Sequence, residues 1–168
     1  MRHGMRTAAV LGVVAGLVGA AAHLSAGSAA ASLASSASIS NKCTISTAAL
    51  AFGAYDPVVT NAASDLDGTG TVTIACTKGA ATTIALDLGS NASGSTRRLT
   101  DGSSNYLSYE IYQDSGRTTV WSTGANVQTP AAAPSKAARD FTAYGRVPSN
   151  QDSPAGSYAD TVTATVNF

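Results

Sequence analysis

Short runs of strict apolar–polar alternation, each closed by turn residues, recur along this 168-residue chain. Successive side chains of an extended chain point to opposite faces, so a period of two marks half-buried strands. Val72, Ile74 and Cys76 share one face, as do Ile84, Leu86 and Leu88, and Leu107, Tyr109 and Ile111. Turn chemistry separates the runs at Asp56-Pro57, residues 61–70, Lys78-Gly79, residues 89–94, Asp101-Gly102, Asp114-Ser115-Gly116 and residues 148–156. Pro57 has no N–H to give a ladder, so a strand stops there. Strands are expected over 44–47, 50–55, 71–76, 82–88, 97–100, 106–112, 118–122, 140–147 and 158–168. The third and fourth read as a hairpin about Lys78-Gly79. No amphipathic helix of three turns interrupts the series, the pattern of an all-β antiparallel sandwich.

The final run alternates up to Phe168, with Tyr158, Val162, Ala164, Val166 and Phe168 on one face. No turn or cap follows it. Such a strand must be paired by something else, and the expected partner is another molecule. Val162, Ala164, Val166 and Phe168 are its expected pairing edge.

At the other end, Arg2, His3 and Arg6 precede an apolar run over 8–22 and small residues over 25–30. This is the layout of a secretory signal peptide cleaved after about residue 30, too short to span a bilayer comfortably. Its removal takes away both histidines, Arg2 and Arg6, leaving eight basic against ten acidic residues and a net charge of −2. No basic patch then answers phosphate, so nucleic acid is not an expected partner. Without histidine a Ser-His-Asp arrangement is excluded. Glu110 is the only glutamate and the aspartates sit mostly in turns, so capping, not paired-carboxylate catalysis, is their expected role. Asp65-Leu66-Asp67-Gly68 lacks the later ligands of a calcium loop. No catalytic residue, metal or cofactor is expected, and the chain does not read as an enzyme.

Cys43 and Cys76 survive cleavage, and in an exported chain one pair reads as one disulfide. A metal site needs more ligands than two thiols. In the chain-entropy account a loop of this length stabilises by about 4 kcal/mol. Phe52, Tyr109, Trp121, Phe141 and Tyr158 are the expected core aromatics, in preference to a sugar-binding platform. Residues 32–41 carry a weaker pattern, with Leu33, Ser35, Ala37 and Ile39 at alternate positions. The residues alone leave open whether this is a strand or a disordered segment.

An ordered set of landmarks carries a resemblance. It runs through Cys43, Phe52-Gly53-Ala54-Tyr55-Asp56-Pro57, the Gly70–Cys76 strand and Asn91 to Leu99. It continues through Leu107 to Asp114, Val120-Trp121, Tyr144-Gly145-Arg146-Val147-Pro148, Gln151 and Gly156 to Asp160. Over residues 43–168 the chain resembles the spore coat protein U domain family, subunits of archaic chaperone–usher pili. The resemblance implies an incomplete immunoglobulin-like antiparallel sandwich, completed by a strand from another subunit. It implies a periplasmic chaperone and an outer-membrane usher as partners during export, and a homo-polymer at the cell surface. It places the donor strand in residues 31–42, with Leu33, Ala37 and Ile39 as its filling side chains. The expected function is thus a secreted structural subunit polymerising by donor-strand exchange into a pilus or coat. The alternative is a single-domain adhesin that binds a surface or glycan.

Overall fold

The computed structural model describes residues 26–168. The expected signal peptide falls largely on residues 1–25, outside the described residues. Contacts divide the chain into two units, 1–37 and 38–168. Of the first, the described residues 26–37 carry neither strand nor helix and are exposed.

The second unit contains seven strands: β1 (Cys43–Ala51), β2 (Leu66–Cys76), β3 (Thr83–Leu86), β4 (Arg97–Thr100), β5 (Tyr106–Tyr112), β6 (Arg139–Val147) and β7 (Ala164–Asn167). One 3-10 turn, Gly124–Asn126, precedes β6. Five strands form one antiparallel sheet in the order β1-β2-β6-β5-β4, and β3 pairs with β7 in a second. The core is built from the period-two faces: Val72, Ile74 and Cys76 of β2, Ile84 and Leu86 of β3, Leu107, Tyr109 and Ile111 of β5, and Ala143 and Val147 of β6. Trp121, fully buried, fastens the two sheets, because its Nε1–H donates to the Ile84 carbonyl at 2.9 Å.

The expected strands are met with several differences. Residues 44–47 and the first two residues of the run 50–55 belong to one strand, β1, that carries a bulge, and residues 52–55 are not in a strand. Ala48 faces Thr71 while Ala51 faces Thr69, so β1 holds one extra residue. The bulge shifts the inward parity from Cys43 and Ile45 to Leu50 and Phe52. β2 begins at Leu66, inside a stretch whose Asp and Gly content reads as turn. Its glycines are sites of close approach. A Cβ on Gly68 would come 2.6 Å from the Ala51 carbonyl oxygen, and one on Gly70 would come 3.0 Å from Leu50. The expected hairpin between β2 and β3 does not form, since β2 is already paired on both sides and β3 crosses to the other sheet to meet β7. Residues 118–122 make only a single bridge, Val120 to Tyr112, instead of a strand. The final strand is likewise shorter than 158–168, with only Ala164–Asn167 in a ladder.

The expected core aromatics divide. Tyr109 and Trp121 are buried, whereas Phe52, Phe141 and Tyr158 are half-buried and pack against the core from its rim. Arg97 is fully buried. It pairs with Glu110 and donates to the carbonyls of Asp87 at 2.6 Å, Trp121 at 2.9 Å and Leu86 at 3.3 Å. A buried cation is tolerated only with its donors answered, and here two sheets answer them. The Cys43–Cys76 disulfide is present, between residues directly opposed in the β1–β2 register.

Candidate functional site: a groove between two strand edges

β1 pairs only with β2, and β7 only with β3. The other edge of each is therefore without a ladder partner among the described residues. These two edges border the same groove. A cavity of about 280 Å³ lies between Thr47–Leu50 of β1 and Asp160–Ala164, floored by Val72, Tyr109 and Ile111. A second, of about 720 Å³, continues from Leu50 and Phe52 past Tyr55, Leu66 and Val147 to Ser153–Asp160. Leu50, Phe52, Leu99 and Asp160 line both, so they mark the neck between them.

The walls follow from local chemistry. Leu50 and Phe52 can turn inward only because Gly145 of β6 lies beneath them. A Cβ there would come 2.7 Å from the Phe52 ring and 2.8 Å from Leu50. Phe52 then meets Tyr109 edge to face, ring centroids 5.7 Å apart. On the opposite wall, residues 161–166 keep the period of two, with Val162, Ala164 and Val166 half-buried against the core, the first two lining the groove, and Thr161, Thr163 and Thr165 exposed. Phe168 is 55% exposed. Asp87 secures this wall, for its carboxylate accepts the Thr163 N–H at 2.8 Å and the Gly89 N–H at 2.9 Å. Burial pushes the Asp87 carboxyl up, but the hydrogen bonds from Thr163 and Gly89 and the Arg97 charge together hold it below the usual carboxylate range.

The neck is polar. Asp160 falls on the same face as Tyr158 and Val162, yet carries a carboxylate. Its Oδ2 accepts the Tyr109 hydroxyl at 2.7 Å. Its Oδ1 accepts the Asn91 side-chain N–H at 2.9 Å and the Asn91 backbone N–H at 3.2 Å. Burial first, and then this hydrogen bond to Asp160, push the Tyr109 hydroxyl well above its ordinary pKa. The carboxylate rests on Gly89, where a Cβ would come 2.0 Å from Oδ2 and where φ is +81°. Sequence reasoning listed Asn91 and Asp160 only as landmarks and gave Asp160 no role. The signal that finds it is parity: one acid among apolar neighbours on an inward face.

Of the expected pairing edge, Val162 and Ala164 line the groove, whereas Val166 and Phe168 do not. The expected donor residues are exposed. Leu33 is 95% and Ile39 87% exposed, and Ala37 is exposed too. The segment enters β1 at a fixed place, because the Lys42 carbonyl accepts the Thr77 N–H at 2.8 Å and the Lys42 N–H donates to Thr77 Oγ1 at 3.0 Å. β1 and β7 approach within 8 Å, Cα to Cα, without a ladder joining them. A strand seated between two others needs them about 9.5 Å apart. Where the edges come that close they must part by at least about 1.5 Å to admit one.

The profile of the Spore Coat Protein U domain matches residues 29–165. Protein U of Myxococcus xanthus is 37% identical over 145 residues, covering 79% of this chain and 80% of that protein. Among solved structures, one chain of the chaperone–tip adhesion subunit pre-assembly complex CsuC–CsuE, from archaic chaperone–usher Csu pili of Acinetobacter baumannii, aligns with a TM-score of 0.58 and 19% identity. That alignment covers 77% of this chain and spans 40% of the length of the solved one. The HdaB minor tip subunit of the E. coli Hda pilus aligns more loosely, at a TM-score of 0.40 and 18% identity over 73% of this chain and 79% of that one.

Proposed function

The chain belongs to the spore coat protein U domain family, and we propose that it is a structural subunit that polymerises by donor-strand exchange. Residues 31–42 of one copy seat in the groove between β1 and the wall that leads into β7 of the next, building a surface pilus or coat. The observation that carries this reading is the pair of unpartnered edges on either side of one apolar groove. Unpaired edges template association with other strands, and an added strand answers both at once. Burying Leu33 and Ile39 contributes about 1.5–3 kcal/mol each, and each new backbone hydrogen bond about 0.5–1.5 kcal/mol. The exposure of both side chains in a single chain leaves them free for a second copy.

Before assembly the same groove suits a strand lent by a periplasmic chaperone, with an outer-membrane usher exchanging it for the subunit's own. The chaperone complex of the A. baumannii subunit supports that partnership. The route implies export through the periplasm to the cell surface. The test compares the chain lacking residues 1–30 with the same chain carrying a copy of residues 31–42 fused after Phe168. The first is expected to form oligomers or precipitate, and the fusion to be a monomer in size-exclusion chromatography with light scattering. A sharp, high-melting monomer without the fusion refutes the reading.

A further inference from the structure

We propose that Asp160 reads the donor strand, selecting a small hydroxyl at position 35 of the incoming copy. The inference rests on the groove reading above and deepens it. The donor is thick at its ends, Leu33 and Ile39, and thin in the middle, Ser35 and Ala37. The groove has the matching profile, two cavities joined by a neck at Leu50, Phe52, Leu99 and Asp160.

Direction sets which small residue meets the neck. The wall over 153–164 runs from the larger cavity to the smaller. A donor antiparallel to it with Leu33 beside Val162 advances two residues to Ser35 as the wall steps back two to Asp160. Ala37 and Ile39 then follow towards Tyr158 and the larger cavity. In an apolar slot Ser35 would bury an unanswered hydroxyl, at a cost that weakens the fit. At the neck it meets an acceptor. Asp160 Oδ2 accepts one hydrogen bond, from Tyr109, and a carboxylate oxygen has room for a second. Tyr109 and Asn91 hold the carboxylate in place, so it does not swing to find its partner. An apolar residue at position 35 would instead cover a charged oxygen without pairing it.

The test uses the fused chain, with Ser, Ala or Val at position 35 of the fused copy. Ser35→Ala is expected to lower Tm by about 3–6 °C, and Ser35→Val by at least as much. In an Asp160→Ala background the difference between Ser and Ala should shrink to about 1 °C or less. A Tm that rises with Val, or a Ser–Ala difference that persists in the Asp160→Ala background, overturns the proposal while the groove reading stands. A fused chain that is no more monomeric in light scattering than the unfused one overturns both. Should Asp160→Ala not fold, the Ser, Ala and Val series on the native groove decides alone.

Discussion

Single residues hold this groove open and shaped, and the most exacting is Gly89. Its φ of +81° already favours glycine, and a methyl group there would overlap the Asp160 carboxylate. Gly89→Ala is therefore expected to cost about 2–3 kcal/mol, read as a lowered denaturation midpoint. Carboxylates set the response to acid. The Val59 N–H and its neighbours Val58 and Thr60 hold the Asp56 carboxyl below its ordinary value. An Asn105 side-chain hydrogen bond does so at Asp101, the Thr119 N–H at Asp114, and a side-chain hydrogen bond from Arg146 at Asp67. A carboxyl depressed in the folded state stabilises above its unfolded value near 3.9 and loses that contribution as pH falls through the folded value. The thermal midpoint of the fused monomer should thus hold level above about pH 5 and fall steadily below about pH 4. A midpoint that rises on acidification contradicts these assignments.

At the scale of elements, legibility followed burial on one face. β4 and β5 have the expected bounds, and β6 differs by one residue; β5 shows a clean two-residue period, and Asp101-Gly102 closes β4. β2 was concealed by its own function in the sheet. Gly68 and Gly70 look like turn residues, but they are small because the bulged end of β1 crosses them. The false hairpin arose from the same limit. Spacing suggests which runs are neighbours in sequence, whereas pairing depends on which edges remain open, and both edges of β2 were taken by β1 and β6. Of the site, the wall over 162–166 was legible as a period of two. The neck was not, because Asp160 meets Asn91 from 69 residues away and no local pattern encodes that contact.

For the molecule as a whole, the disulfide is the one covalent cross-link among the described residues. It joins β1 to β2 at their first rung, so it restrains the unfolded chain and the edge strand together. Reduction is expected to lower stability by about 4 kcal/mol, seen as a shift of the guanidinium midpoint with and without reductant. A smaller loss, confined to fraying of β1, would mean that the remaining six strands fold without it.

In the fibre proposed above, that cross-link would have a mechanical consequence. Tension borne by residues 31–42 enters the subunit at Cys43, the outermost strand, whose ladder would otherwise unzip one rung at a time. Cys76 receives the pull instead and passes it to β2, which is bonded on both flanks, while Thr77 clamps Lys42 beside the junction. The load is thereby shared across the middle of the sheet, and a stretched filament would fail first by a donor slipping from its groove, not by a subunit peeling apart.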